Sequence, residues 1–109
     1  MSELSMRAEK MLATFLQTLK SEYRYPKTVI SAKIEEGLGL SGSEVRAMVN
    51  TLRRKEHPIG SNTHGYYYAN NERELRETIQ HLTERRNSIS AVITGLELAF
   101  KTDNQGRIF

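Results

Sequence analysis

A heptad repeat near the C-terminus constrains the fold of this 109-residue chain more than any other feature. Eight positions follow one another at steps of 4, 3, 4, 3, 4, 3 and 4 residues, and we call them the seam: Leu75, Ile79, Leu82, Arg86, Ile89, Ile93, Leu96 and Phe100. The repeat predicts one helix over residues 71–101, with Arg86 as the single polar member of its apolar stripe. A domain of this size cannot bury so long a stripe on its own.

The seam therefore needs a partner helix, which is either the first helix of this chain or the same helix of a second copy. In a parallel homodimer the two Arg86 side chains would face each other, and like charges in contact repel unless Glu84 or another acid pairs with them. We expect an antiparallel homodimer or packing on the first helix, with the seam residues as the contacts. Residues 102–109 have no periodicity, which predicts a flexible tail.

The N-terminal part of the chain has the period of an amphipathic helix. Apolar residues recur at three- and four-residue steps across residues 3–23, and Pro26 then disfavours helix at the residue before it. Val29 and Ile30 could form a very short strand. Ser31 is expected to be the N-cap of a short helix that is stopped by Gly37 and Gly39.

A capping box opens the next helix, over about residues 42–55. Ser41 and Glu44 have the spacing at which each side chain satisfies a backbone N–H of the other's turn. The apolar face of this helix consists of Val45, Met48, Val49 and Leu52. Two helices joined by "GLGLSGS" are typical of a helix-turn-helix.

A β-hairpin is predicted directly after that helix. Pro58, Ile59 and Gly60 begin the first strand, "SNTHG" is the turn, and "YYYA" returns. Because strand side chains alternate between faces, we expect Tyr66 and Tyr68 to face the helices and Tyr67 to point outward.

This order of elements, with "LGLSGSEVRAMVNTLRR" followed by "PIGSNTHGYYYA", resembles the winged helix-turn-helix superfamily over residues 27–69. The glycine–tyrosine start of the last strand is similar to the DNA-binding domain of biotin-operon-type repressors. Over residues 27–100 the chain looks like small winged-helix proteins of bacteriophages and mobile elements. The expected fold is mainly α with a small β-hairpin: a winged helix-turn-helix with an N-terminal helix (1–70), a C-terminal helix for dimerisation or packing (71–101), and the tail.

The resemblance implies binding of double-stranded DNA by the helix at 42–55 and by the wing at 60–66. Base edges in the major groove would be contacted by Ser43, Arg46 and Asn50. The other candidate contacts, to phosphates or beside the groove, are Ser31, Ser41, Arg53, Arg54, Lys55, Asn62, Thr63, His64 and Tyr67. Ser31 and Ser41 belong here because free N–H groups at helix N-termini suit phosphate oxygens.

Several of these residues have a purely structural alternative. Arg46 could pair with Glu35 or Glu36, and the run Arg53–Lys55 could be a solvated helix end that complements the helix dipole. His64 could be an ordinary turn residue. The wing "SNTHG" has no Lys or Arg, which departs from a wing that grips phosphates.

Charge and composition narrow the functional classes. Residues 20–69 hold eight Lys and Arg residues against five Glu, which accounts for the whole net charge of +3 and indicates an anionic partner. There is no cysteine, and His57, His64 and His81 share no metal-binding spacing, so no metal or other cofactor is expected. No carboxylates form an obvious catalytic pair, and no glycine loop of either common phosphate-binding type occurs, which argues against an enzyme.

Two hypotheses follow. The first is a DNA-binding protein, a phage-type transcriptional regulator or replication accessory protein. It would act as a homodimer in the cytoplasm of a bacterial or phage-infected cell, since no apolar run is long enough to span a membrane. The alternative is a protein-interaction module that binds a replication, transcription or defence protein.

Overall fold

The computed structural model describes residues 4–101 as four helices and one two-stranded antiparallel sheet, and the chain is mainly helical as predicted. The elements are α1 (Met6–Glu22), α2 (Ser31–Leu38), α3 (Gly42–Arg54), β1 (Ile59–Asn62), β2 (Gly65–Tyr68), a 3-10 turn (Glu72–Leu75) and α4 (Arg76–Leu98). The chain divides after Thr78 into two compact units. The tail predicted at 102–109 lies outside the described residues.

Capping residues were predicted for α2 and α3, and the prediction holds for α3 alone. The first helix was predicted over residues 3–23 and spans Met6–Glu22. Ser41 and Glu44 form the expected capping box, with Ser41 Oγ 3.2 Å from Glu44 N and Glu44 Oε1 2.9 Å from Ser41 N. The N-cap of α2 is Ile30, so the prediction that Ser31 caps this helix was wrong. Val29 is paired with Tyr66 through two backbone hydrogen bonds, and the extended chain therefore ends early enough for Ser31 to be helical already.

The core forms where α1, α2 and β1 meet the apolar face of α3. All four residues predicted for that face are buried: Val45, Met48, Val49 and Leu52. Gly39, with φ of 67°, ends α2 in the left-handed conformation, and Leu40 inserts into the core. Only three residues then separate α2 from α3, so both helices share this one core.

The hairpin is tighter than its sequence predicts. Ser61 pairs with Tyr66 and Asn62 with Gly65, so only Thr63 and His64 remain in the turn. Tyr66 and Tyr68 pack against the core on the same face as Ile59, as predicted.

Tyr67 points to the opposite face but is only 2% exposed, so the prediction that it is exposed was wrong. Its ring lies edge-on to Tyr25 at 5.1 Å between centroids, and its hydroxyl donates to the carbonyl of Glu74 at 2.6 Å. The 3-10 turn and the loop at Tyr25 thus contact the second face of the hairpin, which periodicity alone leaves open to solvent. Gly60 lies opposite Tyr67 in the sheet and leaves room for its ring.

The heptad helix starts later than predicted, because residues 72–75 form a 3-10 turn capped by Asn71. Thr78 is buried, and its hydroxyl accepts from Ser61 N at 2.9 Å and donates to Ser61 O at 3.1 Å. Leu75 is half-buried, whereas the seam residues from Ile79 onward are exposed. No helix within residues 4–101 is long and apolar enough to cross a membrane.

The close contact at Gly60 gives a test of the hairpin packing. A Cβ at this position would lie 2.4 Å from the Tyr67 ring, so Gly60→Ala should lower the free energy of unfolding by about 1–3 kcal/mol. Gly37 is the matched control, because it is helical and a Cβ there meets nothing within 4 Å. Gly37→Ala should raise the free energy of unfolding by about 0.5–1 kcal/mol. Urea denaturation measures both, and an unchanged Gly60→Ala midpoint would contradict this packing.

Candidate functional site

The outward face of α3 is the strongest candidate site in the first unit. Four side chains at helical spacing lie exposed on the side opposite the buried residues, and we call them the outer stripe: Ser43, Arg46, Asn50 and Arg54. Their exposure follows from the burial of Val45, Met48 and Val49, since one face of an amphipathic helix in the core leaves the other in water.

The N-terminal half of the stripe borders a shallow depression. Its lining also includes Ser5 from the start of α1 together with Glu44 and the half-buried Ala47. Short side chains at Ser43 and Ala47 let a ligand approach the helix backbone closely, while Arg46 and Asn50 supply hydrogen-bonding groups of the kind that bind base edges or carboxylates.

Arg46 makes no hydrogen bond or ion pair among residues 4–101. A Cβ on Gly42 would lie 3.5 Å from Arg46 Nη1 and 3.4 Å from Glu35 Oε2, so both side chains reach the same glycine. The pairing of Arg46 with Glu35 or Glu36 nevertheless does not form, and Glu35 Oε2 instead accepts from Ser31 Oγ at 2.9 Å. The guanidinium of Arg46 is therefore available to a ligand.

Glu44 holds the N-terminus of α3 against α1. One carboxylate oxygen accepts from Arg7 Nη2 at 2.7 Å, and the other accepts from Ser5 Oγ. These hydrogen bonds lower the pKa of the Glu44 carboxyl to about 2. The bond from Arg7 contributes most, and the bond from Ser5 contributes next. The contribution of Ser5 and Arg7 was not predicted, since nothing local in the sequence connects them to a residue 39 and 37 positions away, respectively.

Arg53 does not belong to the outer stripe. Its Nε donates to the carbonyl of Ile59 at 2.8 Å, and Nη2 lies 3.3 Å from Ser61 Oγ. The side chain is partly buried, and this burial lowers the pKa of the guanidinium. Arg53 therefore joins α3 to β1, and its predicted position near phosphates is not supported. Arg54 and Lys55 are exposed at the end of the helix.

Of the remaining predicted residues, some form hydrogen bonds with near neighbours in sequence and others are exposed at the tip of the hairpin. Thr63 and His64 are exposed, whereas Asn62 Oδ1 accepts from the backbone N–H of His64 at 2.8 Å and so shapes the turn. The hydroxyls of Ser31 and Ser41 bond within their own helices. Tyr67 is buried and cannot contact a ligand.

Comparisons with protein-family models, with curated proteins and with solved structures gave no match to this chain. Within residues 4–101 no three His, Asp or Glu side chains are grouped so that they could hold a metal ion.

The low pKa of Glu44 predicts a pH-dependent contribution to stability. A carboxylate whose folded pKa lies below its unfolded value of about 4.3 stabilises the fold fully above that value and loses the effect as pH falls toward about 2. Glu44→Gln should therefore lower the urea midpoint at pH 6, with a difference from wild type that shrinks between pH 5 and about 2.

The control is Glu36→Gln, because the exposed Glu36 carboxylate has no hydrogen bond or ion pair within residues 4–101. Its urea midpoint should follow that of the wild type at every pH. A Glu44→Gln difference that stays constant from pH 6 to pH 2 would contradict the Arg7–Glu44 tie.

Proposed function

We propose that the protein binds duplex DNA as a winged helix-turn-helix, with α3 in the major groove and the hairpin tip beside it. The observation that carries this proposal is the outer stripe, in which Arg46 and Asn50 are exposed and lack partners within residues 4–101, on a helix whose other face is fixed in the core. Arginine and asparagine can hydrogen-bond bidentately to guanine and adenine, respectively.

The order and spacing of the elements support the same proposal. A three-residue turn between α2 and α3 is typical of helix-turn-helix proteins, and a hairpin directly after the second helix is the wing of the winged form. The 13 residues of α3 give a helix about 20 Å long, which a major groove can accept.

The contacts that hold the two ends of α3 in place also suit a recognition helix. Glu44 ties its first turn to α1, and Arg53 ties its last turn to β1. Base recognition by hydrogen bonds requires side chains that are held in place, because ordering a mobile element on binding costs conformational free energy.

The charge of the chain indicates that phosphate contacts contribute modestly. Arg54 and Lys55 are exposed near the end of α3, while Thr63 and His64 at the hairpin tip add no fixed positive charge. We expect weak non-specific binding and a larger share of affinity from base contacts. A homodimer would double the number of basic residues on the DNA, as expected for a phage-type regulator or replication accessory protein.

A second candidate function is a protein-interaction module that engages a replication, transcription or defence protein. The exposed apolar side chains of α4 favour it, since large exposed apolar patches mark interaction sites. The uncharged hairpin tip also fits a protein surface.

Fluorescence anisotropy of a labelled random-sequence duplex tests the DNA proposal, with titrations at about 50 and about 200 mM salt. Wild type should bind this duplex weakly, with a dissociation constant of about 10 μM at the lower salt that rises at the higher salt, as expected for non-specific binding with few phosphate contacts. The Arg46→Ala, Asn50→Ala double variant should bind at least about tenfold more weakly, because each side chain is directed at the groove. Lys101→Ala removes the same charge from an exposed position in the second unit and should bind like wild type.

Absence of wild-type binding at tens of micromolar protein in low salt would overturn the proposal. Equal losses in the double variant and in Lys101→Ala would also count against it, since they would indicate charge alone. Circular dichroism of each variant checks that the helices are retained.

A further inference from the structure

The part of α4 beyond Thr78 has an exposed apolar side that is strongest toward its C-terminal end. Of the 23 residues of α4 only Thr78 is buried. Ile89, Val92, Ile93 and Leu96 are 52%, 61%, 51% and 69% exposed, and Phe100 follows the helix. Exposed apolar residues at this density mark an interaction surface.

The same segment has little intrinsic tendency to be helical. Between Asn87 and Gly95 the sequence "NSISAVITG" consists of β-branched residues, serines, an asparagine, a glycine and a single alanine. Helices of such composition are stabilised by packing rather than by propensity. A surface that covers Ile89, Val92 and Ile93 would therefore stabilise the helix over residues 87–95.

The heptad position of Val92 distinguishes parallel from antiparallel pairing of two α4 helices. In the heptad that has Ile79, Arg86 and Ile93 at position a, Val92 occupies position g, beside the seam. In a parallel pair g lies next to e of the other helix, which would put Val92 beside the carboxylate of Glu97. In an antiparallel pair g faces g, so Val92 can meet Val92 of a second copy.

We propose that two copies of this chain pair through antiparallel α4 helices. The two-fold axis crosses the pair at the height of residue 91 along each helix. In this register Ile89 lies opposite Ile93 of the second copy. The two Val92 side chains close the centre, so the most apolar part of α4 is buried at the axis. This inference does not rest on DNA binding.

The contacts of Arg86 also favour the antiparallel dimer over the parallel dimer. In a parallel dimer the two Arg86 side chains would share one core layer. In the antiparallel register Arg86 lies opposite Leu96 of the second copy, so the two Arg86 residues are ten positions apart along the axis, about 15 Å. That separation exceeds the Debye length at physiological salt, and each arginine can extend its stem over apolar atoms while its charge reaches water.

Sedimentation equilibrium of the full chain tests the pairing. Wild type should be a dimer in the micromolar range. Val92→Glu places two carboxylates together at the axis and should raise the dimer dissociation constant by at least about 100-fold, because juxtaposed like charges cost several kcal/mol. Thr94→Glu adds the same charge at position b, away from the seam, and should leave the constant unchanged.

Engineered cysteines test the orientation, since the chain has none of its own. Under a glutathione redox buffer, Ile89→Cys and Ile93→Cys should each form few disulfides alone and should cross-link to each other when mixed. Efficient cross-linking of each variant by itself would overturn the antiparallel register. A wild-type monomer at about 100 μM, or equal effects of Val92→Glu and Thr94→Glu, would overturn the dimer. Neither result depends on Arg46 or Asn50, so the DNA proposal is tested separately.

Discussion

The first unit depends on the burial of one side of α3. Val45, Met48, Val49 and Leu52 are each at most 2% exposed, and α1, α2 and β1 all pack on that helix or its neighbours. Burial of four such side chains contributes roughly 6–12 kcal/mol before entropy is counted. It also fixes the rotation of the helix, so Arg46 and Asn50 point outward as a consequence of the core.

Charged residues around α3 serve two different purposes. Glu44 and Arg53 are tied to α1 and β1 at opposite ends of the helix, while Arg46 has no ion pair within residues 4–101. A helix that is held at both ends loses little further freedom when it binds a ligand. In the proposed function Glu44 and Arg53 hold the helix in place, and Arg46 contacts the DNA.

The features that could be predicted from sequence are those set by near neighbours. The capping box at Ser41 and the buried face of α3 depend on residues within a few positions, and both were confirmed. The end of α2 was predicted at Gly37 and Gly39; Gly39 does end it, whereas Gly37 lies inside the helix. The burial of Tyr67 and the hydrogen bonds of Arg53 were not predicted, for a different reason. Both side chains are positioned by segments distant in the fold, namely the 3-10 turn at Glu74 and the carbonyl of Ile59, which periodicity does not reveal.

The hydrogen bonds of Thr78 occupy backbone groups at the outer edge of β1. Its hydroxyl satisfies both backbone groups of Ser61, and Arg53 satisfies the carbonyl of Ile59, so the outer edge of β1 has no open backbone groups at these residues. Tyr66 and Tyr68 on the other edge bond to residues 23–29. An unpaired strand edge is a template for adding a foreign strand. This hairpin offers none at those positions, so a partner there must bind through side chains.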